Sequence, residues 1–148
     1  EFETAGAVIA STTLDLVELQ DASAVVGGDT IVIQEIADQA SGAAVAAAAG
    51  ANVFVLLSET YANVGAMVDG LETGDHELSV AAGVAVDDAF LAVWSDGTDA
   101  YVSMVSADNG ASTDFAEGEL VGNNLVNLGA NAALTAGEFV VGDFAIIA

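Results

Sequence analysis

The stretch that most constrains the fold is residues 87–106, DDAFLAVWSDGTDAYVSMVS, in which two apolar runs flank an Asp-Gly pair. Asp-Gly between apolar runs predicts a β-hairpin, because a type I′ turn requires positive φ at both central positions. A turn centred on Asp96 and Gly97 sets the cross-strand pairs Leu91 with Val102, Val93 with Ala100 and Ala89 with Met104. One face of this hairpin is wholly apolar, and the other, which carries Trp94 and Tyr101, is amphipathic. The hairpin is the predicted centre of the core.

Charge is the second constraint. The 148-residue chain has 23 acidic side chains, one histidine and no lysine or arginine, for a net charge of −23. A side-chain ion pair is therefore impossible except through His76. A partly buried carboxylate must accept hydrogen bonds from backbone or hydroxyl groups, be protonated, or bind a metal ion. Ca²⁺, which prefers oxygen ligands, is the cofactor that this composition suits.

The same charge limits the partners. A chain without a cationic patch lacks the usual contacts with nucleic-acid phosphates and with anionic lipid. The apolar run at residues 43–57 is shorter than the roughly 20 residues of a membrane span and lacks flanking cations. We therefore expect neither a nucleic-acid partner nor membrane insertion.

Hydrophobic periodicity predicts a β-rich α+β fold in a single domain, residues 1–148, with an antiparallel sheet or sandwich and two short helices. The predicted helices are the alanine-rich residues 38–50 and residues 58–71, the second capped by Ser58. The predicted strands outside the hairpin and the N-terminus are residues 31–36, 52–57, 76–86, 139–141 and 144–147, with further apolar segments at residues 120–128.

Residues 1–20 alternate apolar and polar side chains at period two, which predicts one or two strands. One interpretation is an ordinary edge strand of the same sheet. The other is a donor strand that completes the sheet of a neighbouring subunit by strand addition. Both interpretations remain open.

The sequence contains few residues that could act in catalysis. It has no cysteine or lysine and no serine in a G-x-S-x-G turn, so nucleophilic catalysis is not expected. His76, between Asp75 and Glu77, is interpreted as a surface residue at the start of a strand. Glycosidases use a pair of carboxylates for catalysis, but in a chain with 23 acidic residues the presence of such a pair does not indicate a glycosidase. We expect no enzyme.

Acidic and amide side chains at predicted turns are the candidate calcium ligands. They are Asp96 and Asp99 at the hairpin tip, Asp108, Asn109 and Asp114 in the next loop, and the pair Asp87 and Asp88. The alternative for each group is a solvated turn, where Asp, Asn and Gly are common.

The C-terminal part of the chain resembles a known family. The order FLAVWSDGTDAYVSMV, FAEGEL, NLVNL and LTAGEF, at residues 90–139, resembles the C-terminal modules of large bacterial surface and RTX-type proteins. The last residues, DFAIIA, are similar to the tails that type I secretion machinery reads. The resemblance covers roughly the last 60 residues and implies secretion into calcium-rich surroundings. Because the glycine-rich nonapeptide repeats of that family are absent, β-roll calcium binding is not implied.

Together these features predict a secreted, non-enzymatic structural protein that self-assembles into an extracellular filament, sheath or surface layer, with or without calcium. The candidate intersubunit residues are Phe2, Val8, Ile9, Leu14, Leu16, Leu19, Phe139, Phe144, Ile146 and Ile147. The alternative is a monomeric secreted module that binds a small ligand or carbohydrate near Trp94 and Tyr101. A cytosolic protein of a halophile is the alternative to extracellular localisation.

Overall fold

The structure is a computed structural model that describes residues 31–39, 43–80, 86, 88–108 and 115–144. The described elements are β1 (Ile33–Ala37), β2 (Val45–Ala46), β3 (Val53–Leu57), α1 (Val64–Thr73), β4 (Leu78–Ser79), β5 (Ala89–Ser95), β6 (Asp99–Ala107) and β7 (Leu120–Ala130). A 3₁₀ turn follows at Val141–Asp143.

Five strands form one mixed sheet in the order β1-β3-β5-β6-β7. Strands β1, β3 and β5 are parallel, whereas β5, β6 and β7 are antiparallel. The predicted β-rich α+β fold is confirmed, but a purely antiparallel sheet is wrong. The segments after β1 and β3 are long enough for crossover connections, and α1 lies within the second, as parallel pairing requires. The continuous apolar run of β3, VFVLL, is typical of such a doubly covered parallel strand.

The predicted hairpin is β5 and β6, but its register differs by two residues. Leu91 pairs with Met104 and Val93 with Val102, because the turn is centred on Gly97 and Thr98. Gly97 has φ +90 and Thr98 does not have positive φ, which fits a turn with glycine at its first central position. A shift of two residues keeps every side chain on its predicted face. The apolar face is therefore as predicted, while its cross-strand pairs are not.

Each face of the sheet contributes to a hydrophobic core. On the first face, Phe54, Phe90 and Trp94 pack with Met67 and Leu71 of α1. On the second face, the core side chains are Ile31, Val53, Val55, Leu57, Ala89, Leu91, Val93, Ala100, Val102 and Leu134. The central strand β5 is buried along its whole length because it contributes to both cores.

Helix α1 begins later than predicted. Its N-cap is Asn63, whose side-chain oxygen accepts a hydrogen bond from the Ala66 N–H at 3.0 Å. Ser58 instead has φ +70, and its N–H donates to the Leu134 carbonyl at 3.0 Å. Residues 58–62 therefore connect the end of β3 to the helix and are not part of it.

The alanine-rich segment is not the helix that its propensity predicts, in the part that the structure describes, residues 43–50. Val45 and Ala47 donate backbone hydrogen bonds to Glu77 and Ser79, each at 2.7 Å. The side chain of Gln34 binds both the Ala46 carbonyl, at 2.9 Å, and the Ala48 N–H, at 2.7 Å. These tertiary contacts outweigh alanine's helix propensity, which is only a weak preference.

Other predicted elements are shorter or fall elsewhere. Of the strand predicted at residues 76–86, the described part contains Leu78–Ser79. Residues 139–141 are not a strand, because the Val140 N–H donates to the Asp143 carboxylate at 2.8 Å and the chain turns there. The elements predicted at residues 1–20 and most of 144–147 lie outside the described residues. No described helix is long and apolar enough to cross a membrane.

A substitution at Gly70 of α1 tests how closely the helix packs against the loop before it. A Cβ at Gly70 would lie 2.5 Å from Tyr61 Cε1 and 2.6 Å from its hydroxyl oxygen. Overpacking costs about 1–3 kcal/mol and exceeds the helix-propensity gain of about 1 kcal/mol. We expect Gly70→Ala to lower the free energy of unfolding by about 1 kcal/mol in urea denaturation.

The control is Asp69→Ala, which places the same side chain at the adjacent exposed position. It should change the free energy of unfolding by less than about 0.5 kcal/mol. A Gly70→Ala protein that is as stable as the parent would contradict the close packing of Tyr61 on the helix.

Candidate functional site

The acids at the hairpin tip organise the turn. Asp96 Oδ1 accepts hydrogen bonds from the N–H groups of Thr98 and Asp99, both at 2.8 Å. Asp96 Oδ2 accepts one from the Tyr101 hydroxyl, at 2.8 Å. The Asp99 N–H first, then the Tyr101 hydroxyl and the Thr98 N–H, lower the pKa of Asp96. The hydrogen bond with Asp96 raises the pKa of Tyr101. The arrangement is that of an Asp side chain closing a turn.

The predicted calcium ligands are spread over the sheet. Within the described part of the chain, no group of three or more His, Cys, Asp or Glu side chains is placed to bind a metal ion. Asp99 and Asp108 lie at opposite ends of β6, about 30 Å apart at the rise of a strand. Asp88 lies at the Asp108 end, where its carbonyl accepts from the Ala107 N–H at 2.8 Å. Asp87, Asn109 and Asp114 lie outside the described residues, so calcium binding stays a prediction.

The aromatic side chains of the hairpin belong to the core. Trp94 is 1% exposed and stacks on Tyr101 with ring centroids 4.8 Å apart. The indole N–H donates to Ser103 Oγ at 2.8 Å, and the Ser103 hydroxyl donates to Asn124 Oδ1 at 2.6 Å. The polar groups of Trp94 and Ser103 are therefore occupied by protein partners. Trp94 does not offer an open face to a ligand.

Glu72, at the end of α1, is a buried carboxylate that the sequence did not single out. It is 1% exposed. Its Oε1 accepts from the Leu120 N–H at 2.6 Å, and its Oε2 accepts from the Gly118 N–H at 2.9 Å. Glu72 therefore connects the helix to the turn that starts β7, and it does so with backbone donors, as a chain without cations requires.

His76 is also buried, which makes the interpretation as a surface residue wrong. It has no exposed surface. Its Nδ1 lies 2.5 Å from the Tyr61 hydroxyl and its Nε2 lies 3.1 Å from the Leu57 carbonyl oxygen. Burial lowers the pKa of His76, and burial also raises that of Tyr61. The burial of His76 could not be predicted from the sequence, because a single histidine between two acids shows no hydrophobic periodicity.

Strand β7 is the described feature most open to a partner. It is the longest described strand, with 11 residues, and among the described strands it pairs on one side only, with β6. Its sequence LVGNNLVNLGA has no charged residue, and the uncharged run continues to Gly137. Val121 is 43% and Leu128 46% exposed. Among the described strands, β7 is thus a long uncharged edge of the sheet, on a chain of net charge −23.

The hydrogen-bond alternation indicates which groups of β7 face outward. The Asp108 N–H donates to the Glu119 carbonyl at 2.8 Å, and Leu120 is the next residue to pair, with Ala107. Because such pairs alternate in antiparallel strands, the backbone groups of Leu120, Gly122 and Asn124 face away from β6. The Leu120 N–H follows this rule by donating to Glu72. Two register shifts beyond Asn124 interrupt the alternation.

The two described members of the predicted intersubunit set pack within their own chain. Phe139 and Phe144 are partly buried against the second core, with ring centroids 6.5 Å apart. The exposed apolar residues next to them are Val140, at 54%, and Val141, at 52%. Phe2, Val8, Ile9, Leu14, Leu16, Leu19, Ile146 and Ile147 lie outside the described residues.

Two concave regions border the cores. An apolar cavity of about 270 Å³ lies between the alanine-rich residues 47–51 and Phe54, Phe90 and Phe115. A more open groove of about 460 Å³ lies between Leu128 and Phe139. Specific small-molecule sites combine an apolar wall with a few convergent polar groups. The lining of the first cavity includes one acidic residue, Asp88. Because one such residue does not make a set of convergent polar groups, we assign no ligand to this cavity.

No protein-family model, curated protein or solved structure matches this chain. The resemblance to type I-secreted surface proteins therefore stays a prediction.

Glu72→Gln tests the contact between the helix and β7. A carboxylate accepts from two N–H groups, whereas an amide has one oxygen and presents donors on its other side. Either the buried N–H group of Leu120 or the partly buried N–H group of Gly118 then loses its acceptor. We expect the free energy of unfolding to fall by about 1–3 kcal/mol in urea denaturation.

Glu117→Gln is the matched control, because Glu117 is exposed in the same turn. Its effect on the free energy of unfolding should stay below about 0.5 kcal/mol. Equal effects of the two substitutions would show that Glu72 has no special role.

Proposed function

We propose that this protein is a secreted, non-enzymatic structural protein whose copies associate through β7 into an extracellular filament, sheath or surface layer. The observation that carries the proposal is the long uncharged edge of the sheet. A sheet edge offers unpaired N–H and C=O groups to another strand, and many proteins protect it with charged side chains. This chain has 23 acids and places none of them on β7.

The charge pattern favours a second copy as the partner of β7. A cationic partner would bind the acidic surface, not a segment without charge. Another copy of the chain has the same strong negative charge, so it can approach closely only where acids are absent. The outward groups of Gly122 and Asn124 lie within such a segment, in its first half, and an antiparallel β7–β7 pair would extend the sheet across two subunits.

Repulsion between copies provides control of assembly. Two chains of net charge −23 repel each other until salt, calcium or acid reduces the charge or screens it. Association is then confined to surroundings that supply these ions, such as the outside of a cell. The resemblance of the C-terminal part to type I-secreted proteins supports the same localisation.

The burial of Trp94 supports a structural role over carbohydrate binding. Sugar-binding modules use aromatic rings that face solvent, whereas Trp94 is 1% exposed and covered by Tyr101. The binding-module alternative then depends on a surface other than the hairpin.

Negative-stain electron microscopy of the purified protein, with millimolar calcium and then with a chelator, tests the proposal. We expect filaments or sheets with calcium, and their loss on chelation identifies the metal as a requirement. A protein that remains monomeric at high concentration in millimolar calcium would sink the assembly proposal.

Val121→Glu tests whether β7 is the contact. Val121 is exposed, so the fold should not change, but each copy brings an added charge to the pairing edge. We expect the dissociation constant of self-association, measured by analytical ultracentrifugation, to rise about tenfold or more, equivalent to about 1.4 kcal/mol.

Ala37→Glu is the control for Val121→Glu. It adds a charge at an exposed position at the end of β1, on the opposite side of the sheet from β7. It should leave self-association within about twofold of the parent, since only distant screened repulsion increases. Equal weakening by both variants would indicate that net charge, and not β7, controls association.

A further inference from the structure

The single histidine of the chain connects three elements at one buried point. His76 follows α1, Leu57 is the last residue of β3, and Tyr61 lies in the connection between β3 and α1. The imidazole contacts both Leu57 and Tyr61. Its Nε2 lies 3.1 Å from the Leu57 carbonyl oxygen, and its Nδ1 lies 2.5 Å from the Tyr61 hydroxyl. The contact fixes the helix against the end of the sheet.

The partners determine the tautomer. A carbonyl oxygen only accepts hydrogen bonds, so Nε2 must carry the proton that is donated to Leu57. In a neutral imidazole Nδ1 is then an acceptor, and the Tyr61 hydroxyl donates to it. A second proton could bind only at Nδ1, where the hydroxyl proton of Tyr61 already points.

Tyr61 is itself tied to both layers. Its N–H donates to the Ser95 carbonyl of β5 at 2.9 Å. Its ring lies directly against Gly70 of α1. The His76 N–H donates to the Gly70 carbonyl at 3.3 Å. A change at the imidazole is therefore transmitted to the helix and to the central strand.

Acidic groups surround the site from several sides. Asp38 lies after β1, Glu59 lies in the connection after β3, and Asp75 lies in the turn after α1. All three attract a positive charge on His76, as does its hydrogen bond to Leu57, but burial of the ring has the larger effect and lowers the pKa of His76. The folded chain therefore retains a neutral imidazole at a pH where an exposed histidine is protonated.

We propose that His76 is an acid-sensitive latch, which in its neutral Nε2–H form joins Leu57 and Tyr61 and on protonation releases α1 from the sheet. The proton at Nδ1 forces the Tyr61 hydroxyl to turn from donor to acceptor and leaves its proton without its buried partner. A charged ring is also expensive in this site. Both effects favour an opened state in which the imidazole reaches water.

The direction in which pH changes the stability of the fold follows from the linkage between proton binding and unfolding. Above a pH of about 6.5 the histidine is neutral in both the folded and the unfolded chain, so it adds no pH dependence. Below that pH the unfolded chain binds a proton that the folded chain does not. The unfolding equilibrium constant then rises with falling pH, by up to about tenfold per pH unit, until the folded pKa is reached.

NMR of the unaltered protein is the first test, since a single histidine gives a single set of imidazole signals. We expect the Nε2–H tautomer at pH 7.5 and no protonation of the folded form at a pH of about 6.5. The opposite tautomer, or a titration at the ordinary histidine pKa, would overturn the proposal.

Urea denaturation between pH 7.5 and 5.0 is the second test, with the parent, His76→Gln and Val68→Ala. Val68 is buried in α1 and does not titrate, so Val68→Ala controls for lost stability with the histidine retained. Parent and Val68→Ala should share the steeper rise of the unfolding constant below pH 6.5, and His76→Gln should lack it. The same pH dependence in all three proteins would overturn the latch.

Hydrogen exchange separates release of the helix from general unfolding. After correction for the intrinsic rate, the amides of α1 should lose protection at pH 5.0 before those of β5 and β6. Simultaneous loss in all three elements would contradict the proposed release of α1. The hydrogen-exchange result does not depend on self-association, because the exchange is measured on the monomer at low concentration. The test therefore applies whether or not β7 pairs with a second copy.

Discussion

The structure depends on backbone N–H groups in the place of cations. In a chain with 23 acids and no lysine or arginine, the buried carboxylate of Glu72 is satisfied by two converging backbone N–H groups. The same solution recurs at the surface, where carboxylates accept from nearby N–H groups in turns. These acids are Asp96, Glu119, Glu138 and Asp143. These four acids therefore stabilise turns next to described elements with backbone donors, without any cation.

Strand β7 lies between two such turns and is itself free of charge. Glu119 and Glu138 accept backbone hydrogen bonds in the turns before and after it, and the strand has apolar and amide side chains. Asn124 and Asn127 bind Ser103 and Asp99 of β6, so the amides stabilise pairing within the sheet. The outer side of the strand meets no comparable side-chain partner in the described part of the chain beyond Leu120. On the assembly proposal, repulsion between like charges keeps such edges apart in the monomer.

Local patterns predicted the hairpin, the buried strand β3 and the division of the hairpin side chains between two faces. The register was wrong by two residues because Asp96 closes the turn with its carboxylate and leaves the central positions to Gly97 and Thr98. The start of α1 and the conformation of the alanine-rich segment depend on tertiary hydrogen bonds, which no local pattern contains. Glu72 was missed, and His76 was wrongly assigned to the surface, for the same reason: each is a single polar residue whose burial is decided by partners distant in the sequence.

On the two proposals, the edge and the latch respond to acid in opposite directions. Carboxylates become neutral near pH 4, which removes repulsion between copies, whereas the histidine destabilises the free subunit from about pH 6.5 downward. Association through β7 adds a binding free energy to the folded state and to it alone, because an unfolded chain has no sheet edge. Assembled copies therefore retain their fold at a pH at which free copies open. A mildly acidic medium would then remove unassembled subunits and spare the assembly, while calcium at neutral pH would favour association without opening the latch.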